Sequence, residues 1–145
     1  MKKLLNVLTI LIFTVSSVSA ETVLYCTTEL ATGMAYKNGK WVTSDFEPKR
    51  FTVKYIEVKN NNKDEVHLTL KPSFHPVAVN FLCFRNNTRS HLIKCNNDKP
   101  EVLIYNTELK RFSYVQGLGF SYANGEDDRG YSDTQTIDSG TCTDF

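Results

Sequence analysis

The densest group of side chains that could do chemistry lies near the C-terminal end of the chain, in residues 124–133. It combines four carboxylates with one cation and one phenol: Glu126, Asp127, Asp128, Asp133, Arg129 and Tyr131. Flexible loops rich in carboxylate oxygens bind calcium, and loops with charged and aromatic side chains recognise protein partners. The regular D-x-D-x-D-G spacing of a dedicated calcium loop is missing. These six residues are predicted as a binding segment, and calcium, a protein partner and a solvated loop neutralised by Arg129 remain open.

A second candidate for chemistry is Ser121, in the sequence Gly119-Phe120-Ser121-Tyr122-Ala123. This resembles the G-x-S-x-G turn that exposes the nucleophile of many hydrolases, with alanine in place of the second glycine. That turn also requires a strand and a helix in a parallel sheet, whereas this segment has the composition of an antiparallel strand. A serine on the polar face of a strand is favoured, so no catalytic residue is predicted. A hydrolase that uses Ser121 with a histidine is the alternative.

The cysteines and histidines do not have the spacing of a metal site. Zinc ligands come in close pairs such as C-x-x-C, whereas successive cysteines here are 57, 12 and 47 residues apart. His67, His75 and His91 supply no missing pair. The sequence therefore predicts no zinc site, and it assigns no metal ligand and no cofactor.

Residues 1–20 have the layout of a secretory signal peptide. Lys2 and Lys3 precede a short apolar stretch, and the small residues Ser19 and Ala20 end the segment. The apolar stretch is shorter than the roughly 20 residues that a membrane-spanning helix needs. We expect cleavage after Ala20, a mature protein without a membrane span, and a periplasmic or secreted location.

The charge of the mature chain is close to neutral. Removal of Lys2 and Lys3 from the 17 basic residues leaves 15 against 16 acidic ones, so the formal charge falls from +1 to −1. Nucleic-acid binding needs concentrated lysine and arginine. The sequence offers no such cluster, and nucleic acid is not expected as a partner.

Four cysteines, Cys26, Cys83, Cys95 and Cys142, lie in the mature chain. An even number in an exported protein is typical of disulfides, and three pairings are possible. A turn-rich stretch separates Cys83 from Cys95, which favours a cross-linked hairpin. The remaining pair, Cys26–Cys142, would join the first strand to the last. Residues 21–145 are therefore expected to form one domain with two disulfides.

Short runs separated by glycine and asparagine indicate an all-β fold. The candidate strands are residues 22–27, 34–36, 40–43, 50–58, 66–71, 101–105, 111–116 and 119–123. Asn38-Gly39 is the strongest hairpin signal, because both residues tolerate the positive φ angles of a type I′ turn. The polar residues 60–64 are expected to form a loop. We predict a small antiparallel barrel or sandwich with meander hairpins.

One hairpin is predicted from aromatic residues. If the chain folds back about Gly117, Phe112 lies opposite Tyr122 and Tyr114 lies opposite Phe120, so that four aromatic rings share one face. This regularity favours a meander.

Short motifs are spread along the mature chain. They are Tyr25-Cys26, Ala31-Thr32-Gly33-Met34, Tyr36, Gly39-x-Trp41, Arg50-Phe51, Arg111-Phe112, Asp127-Asp128 and Gly140-Thr141-Cys142. Together they resemble a group of small exported bacterial proteins of unknown function. The resemblance implies a periplasmic or secreted bacterial protein, and it assigns no active-site residue.

These observations favour a non-catalytic exported binding module, whose partner is an envelope component, a protein or a small ligand. The alternatives are the hydrolase built on Ser121 and a structural protein of the cell envelope.

Export should remove residues 1–20, because Ser19 and Ala20 provide the best cleavage site. The intact mass of the exported protein is then expected to correspond to a chain that begins at Glu21. A mature product that retains Lys2 and Lys3 would contradict this prediction.

Overall fold

The computed structural model describes residues 21–60, 63–86, 88–117 and 134–145. These ranges contain nine β-strands and no helix. The strands are β1 (Glu21–Lys37), β2 (Lys40–Asp45), β3 (Arg50–Asn60), β4 (Lys63–Pro72), β5 (Val79–Asn86), β6 (Arg89–Asn96), β7 (Glu101–Asn106), β8 (Arg111–Gln116) and β9 (Thr134–Asp144). None of the described segments is an apolar helix of membrane-spanning length.

Eight of the strands close into an antiparallel barrel. From β3 to β9 each strand pairs with the next one in the chain, and β1 pairs with β3 on one edge and with β9 on the other. β2 is an additional strand that pairs with the C-terminal half of β1. The all-β antiparallel meander is confirmed, and of the two predicted architectures the protein adopts the barrel. Because β1 pairs with both β3 and β9, none of these eight strands is an edge strand of an open sheet.

The interior of the barrel follows the alternation of the strands. In β4, Val66, Leu68 and Leu70 are buried while His67 is exposed, as the alternating pattern predicts. The same alternation places one face of each strand inward. The resulting core consists of Leu24, Cys26, Phe51, Val53, Val66, Leu68, Leu70, Phe81, Cys83, Ile93, Cys95, Leu103, Tyr105, Phe112, Tyr114 and Cys142.

Strand β1 is longer than its sequence indicates. Residues 22–27 and 34–36 are predicted as two strands, whereas β1 runs without a break and pairs with β9 from Leu24 to Ala35. A β-bulge lies between Thr28 and Leu30. A bulge adds one residue to the strand. The buried residue that follows Thr28 is therefore Ala31 and not residue 30, and the period-two pattern of burial is interrupted.

Gly140 permits the close approach of β9 to β1 beside this bulge. A Cβ atom at position 140 would overlap the carbonyl oxygen of Thr27 and lie 2.9 Å from the Cα of Thr28. Any side chain here would force the two backbones apart, so glycine is required where the paired strands come this close.

The hairpin between β1 and β2 turns at Asn38 and Gly39. Their φ angles are 51° and 76°, and Lys37 pairs with Lys40 across the turn. The predicted two-residue turn with positive φ at both positions is therefore confirmed. Tyr36 and Trp41 face each other on this hairpin, with ring centroids 5.5 Å apart.

Two local predictions need correction. Residues 60–64 were expected to form a loop, but β3 continues to Asn60 and β4 begins at Lys63. Asn60 pairs with Lys63, because a β-ladder joins backbone groups whatever the polarity of the side chains. The second concerns β8, which has β7 on one edge and β9 on the other. Phe112 and Tyr114 therefore have no free strand edge for the expected pairing with residues 120–122, which themselves lie outside the described residues.

Both predicted disulfides are present. Cys26 bonds to Cys142 and Cys83 bonds to Cys95, and in each pair the Cα atoms are 3.9 Å apart. Each bond joins residues directly opposite in the sheet, on β1 and β9 and on β5 and β6. All four cysteines are buried in the barrel. Disulfides of this kind persist in an oxidising environment outside the cytoplasm.

Removal of the Cys26–Cys142 bond is expected to destabilise the protein more than removal of Cys83–Cys95. The two loops closed are 116 and 12 residues long, and the loss of unfolded-state entropy corresponds to about 5 and about 3 kcal/mol respectively. The double variants Cys26→Ala/Cys142→Ala and Cys83→Ala/Cys95→Ala are a matched pair, because all four side chains are buried. Denaturant unfolding without reductant gives both free energies. Equal losses would show that loop length does not decide the difference.

Candidate functional site

The side chains singled out for chemistry in the sequence are not placed by the structure. Residues 124–133, with Glu126, Asp127, Asp128, Arg129, Tyr131 and Asp133, lie outside the described residues, and so does Ser121. The binding role of that segment stays a prediction. Within the described ranges no group of three or more histidine, cysteine, aspartate or glutamate side chains could hold a metal ion.

The described part of the chain has a pocket at one end of the barrel. Alternate strands begin and end here because the sheet is antiparallel: Phe51 at the start of β3 pairs with Pro72 at the end of β4, and Glu101 pairs with Gln116. We call this end, which is formed by Thr28, Lys49, Arg50, Pro72, Val79, Glu101 and Gln116, the pocket end.

The pocket has a volume of about 220 Å³. Apolar and aromatic side chains make most of its wall, and two lysines and a histidine lie among them. The lining residues are Lys49, Phe51, Pro72, Phe74, His75, Val77, Val79, Lys99, Tyr114 and Gln116. Among the described residues that line it, none is acidic. An apolar concavity with a few polar groups is the usual form of a small-molecule site.

Aromatic packing fixes the floor of the pocket. Phe51 packs edge-to-face against Phe112 and Tyr114, with ring centroids 5.8 and 6.1 Å apart. Tyr114 also packs against Phe81 at 6.0 Å. Such pairs prefer this perpendicular geometry because the edge of one ring is positive and the face of the other is negative. Four rings from three strands, β3, β5 and β8, therefore hold the floor in place.

The connection between β4 and β5 forms the rim. Pro72 ends β4, since a proline nitrogen cannot donate to the ladder. The Ser73 N–H donates to the Arg50 carbonyl at 2.9 Å, and the Val77 N–H donates to His75 Nδ1 at 3.2 Å. This local network leaves Phe74 and Val77 beside the pocket with exposed fractions of 67% and 60%. Exposed apolar side chains at a concave rim are available for ligand contact.

Lys49 connects the pocket to a buried carboxylate. Its backbone carbonyl accepts a hydrogen bond from the Thr28 N–H at 2.8 Å, which holds the residue at the pocket end. Its Nζ atom lies 3.5 Å from Oδ2 of Asp138, whose side chain is 0% exposed. Neither carboxylate oxygen of Asp138 accepts a hydrogen bond from the described residues. Among the described residues, Asp138 is therefore a buried carboxyl group whose one ion-pair partner is Lys49.

Burial raises the pKa of the Asp138 carboxyl above its usual value, and the nearby Lys49 ammonium only partly opposes this effect. Desolvation disfavours the charged form of an acid, whereas a neighbouring cation favours it. The carboxyl group therefore takes up a proton more readily in the folded protein than in the unfolded chain.

A chain of hydrogen bonds lies beside this ion pair. Thr136 Oγ1 donates to Gln116 Oε1 at 3.0 Å, and Gln116 Nε2 donates to the Tyr114 hydroxyl at 3.2 Å. Asn97 Nδ2 donates to Glu101 Oε2 at 2.6 Å. Burial raises the pKa of the Tyr114 hydroxyl, and the Glu101 carboxylate raises it further. Tyr114 thus keeps its proton and remains a hydrogen-bond donor.

Sequence reasoning did not find this site. A signal for Asp138 was present, because Thr136, Asp138, Gly140 and Cys142 share one face of β9 and the cysteine is a core residue. A carboxylate on the face of a core cysteine marks a buried polar group. No comparable signal marks Lys49 or Phe74, since both lie in connections between strands.

Comparison with known proteins gives no relative for this barrel. No protein-family model matches the chain, and neither the curated proteins nor the solved structures compared with it match. Function is therefore argued from the geometry of the pocket end.

Asp138→Asn is expected to raise the midpoint of thermal unfolding at pH 7. A carboxyl whose folded pKa is raised contributes stability that is present below its unfolded pKa of about 3.9 and is lost as pH rises through the folded pKa. Asparagine cannot ionise, so the variant avoids this loss of stability at pH 7. Below about pH 4 the wild-type carboxyl is protonated in both states, and the difference in midpoint between variant and wild type should disappear. We expect a few degrees, since about 1 kcal/mol shifts a domain of this size by about 2–8 °C.

Asp45→Asn is the control for this measurement, because Asp45 is exposed at the end of β2. It should leave the pH profile unchanged. A lower unfolding midpoint of Asp138→Asn at pH 7 would mean that the ion pair with Lys49 stabilises the fold.

Proposed function

We propose that the protein is an exported, non-catalytic binding module that takes a small ligand into the pocket end of its barrel. The observation that carries this proposal is the pocket of about 220 Å³, with its aromatic floor and apolar rim. An eight-stranded barrel has an interior just wide enough to be filled by side chains or to hold one small ligand. Here a cluster of buried side chains that includes two disulfides forms the core, and the pocket lies at one end of the barrel.

The rigidity of the barrel supports a binding role. The pairing of β1 with β9 closes the barrel, and the disulfides cross-link its strands. Together they restrain the positions of the strands. A preformed site loses little conformational entropy when a ligand enters, so more of the contact energy appears as affinity. The groups that line the pocket are placed by backbone hydrogen bonds and ring packing before a ligand arrives.

Three observations support export to the periplasm or the outside of the cell. The two disulfides need an oxidising compartment. Residues 1–20 have the layout of a signal peptide. The short motifs along the mature chain resemble those of small exported bacterial proteins. The hydrolase and the structural envelope protein remain alternatives, and no contact among the described residues favours either.

A neutral fluorescent probe tests the proposal. The neutral single-ring fluorophore 4-(dimethylamino)benzonitrile should bind to the wild-type protein with a change in its polarity-sensitive emission. Phe74→Ala should weaken binding about fivefold, because loss of an apolar contact of about 1 kcal/mol has that effect. Phe84→Ala is the matched control: Phe84 is also exposed, at 50% against 67% for Phe74, but lies on β5 away from the pocket.

Two results of the titration would contradict a binding role for the pocket. One is absence of probe binding to the wild-type protein. The other is an equal loss of affinity in Phe74→Ala and Phe84→Ala, which would place the probe on the outer surface of the barrel.

A further inference from the structure

The charges of the pocket end indicate what kind of ligand it takes. Lys49 and Lys99 both line the pocket, and the lining residues that the structure describes include no carboxylate. Apart from His75 and Gln116, the rest of the described wall is apolar or aromatic. A ligand that matches both features has an apolar body and an anionic group, because each part then meets a complementary surface.

The size of the pocket limits the apolar body. At about 220 Å³ it is smaller than the roughly 300–1,000 Å³ of sites for drug-sized ligands. One aromatic ring or a short aliphatic chain fills such a space. The perpendicular rings of Phe51 and Tyr114 offer an aromatic ligand the same edge-to-face contact that they make with each other.

Lys49 is the cation that is best placed to bind the anionic group. It lines the pocket and its side chain is 25% exposed, so it can be reached from solvent. Its present partner, Asp138, is 3.5 Å away, at the outer limit of a hydrogen bond. A carboxylate that hydrogen-bonds an ammonium approaches to about 2.7–2.9 Å. A ligand carboxylate can therefore offer Lys49 a better partner than Asp138 does.

Asp138 would then be left without a counter-ion. The residues opposite it are Ala31 on β1 and Tyr114 on β8, and neither supplies a positive charge. Glu101 lies beside Tyr114 and adds negative charge to the same region. A buried carboxylate in this position is stable only when it is protonated.

We propose, on the basis of the binding role above, that the pocket takes a small aromatic or short-chain carboxylate, which binds Lys49 in exchange for Asp138. Asp138 takes up one proton from solvent as the ligand binds, so that the buried region keeps its charge. The direction in which burial already moves the Asp138 pKa is consistent with this proton uptake. Affinity for the carboxylate consequently rises as pH falls.

A matched set of probes tests the charge of the ligand. Calorimetric titration with 3-phenylpropionate, 3-phenylpropanol and 3-phenylpropylamine compares an anion, a neutral molecule and a cation of nearly equal size. We expect the carboxylate to bind at least about tenfold more tightly than the alcohol, and the amine to bind more weakly than both.

Variants of the ion pair test the exchange. Lys49→Met should weaken carboxylate binding about tenfold and change alcohol binding less than about twofold, while Lys49→Arg should retain most of the carboxylate affinity. Asp138→Asn should bind the carboxylate more tightly at pH 7, because the competing anion is gone. Lys54→Met is the control, since Lys54 pairs with Glu21 on the outer surface of the barrel. Wild-type-like circular dichroism verifies that each variant is folded.

Proton uptake is measured by repeating the titration in buffers with different ionisation enthalpies between pH 5 and 8. The wild-type protein should take up protons on carboxylate binding, and Asp138→Asn should not. His75 also lines the pocket and can carry a proton. His75→Gln should therefore retain the proton uptake if Asp138 is its source.

The possible failures are distinct. Equal affinity for carboxylate and alcohol, with binding of the neutral probe intact, overturns the carboxylate assignment and leaves the binding role standing. Uptake that disappears in His75→Gln, or unchanged carboxylate affinity in Asp138→Asn, overturns the exchange. If the neutral probe does not bind either, the proposed function itself fails.

Discussion

The pairing of β1 with β9 is the interaction on which the rest of the structure depends. These strands are far apart in sequence, and their contact turns a meander into a closed barrel. Three features join these two strands. They are the backbone hydrogen bonds along most of β1, the Cys26–Cys142 disulfide and the close backbone contact at Gly140. An open sheet of the same strands would expose two unpaired edges and one face of its core to water. Closure protects all three at once.

Closure also decides where polar groups can be tolerated. In the middle of the barrel the inward positions are apolar or form disulfides. Polar inward side chains such as Thr136, Asp138 and Glu101 occur toward the pocket end, where hydrogen-bond partners and Lys49 are within reach. The Asp138 oxygens and Thr28 Oγ1 are exceptions, because they have no hydrogen-bond partner among the described residues, and of these groups Asp138 is the one that can carry a charge. A buried charge of this kind opposes folding, and its retention is understandable if it acts in binding.

The pocket end thus combines rigidity with an unsatisfied charge. The floor is held by perpendicular aromatic rings and the rim by backbone hydrogen bonds in the connection after Pro72. Lys49 lines the pocket and forms an ion pair with Asp138. A site with fixed walls and one exchangeable ion pair can recognise a ligand through a local change of partner, without movement of the strands.

The sequence by itself determined the elements that arise from local chemistry. Strand alternation, as in Val66, Leu68 and Leu70, and the Asn38-Gly39 turn depend only on neighbouring residues, so they could be predicted. Both disulfides followed from the positions of four cysteines. The tertiary structure alone decided that the sheet closes into a barrel, because strand pairing over more than a hundred residues leaves no periodic signal. It also decided the bulge after Thr28, which interrupts the alternation, and the meeting of Lys49 with Asp138. These two residues are 89 positions apart in the chain, and only the closure of the barrel brings the ammonium and the carboxylate together.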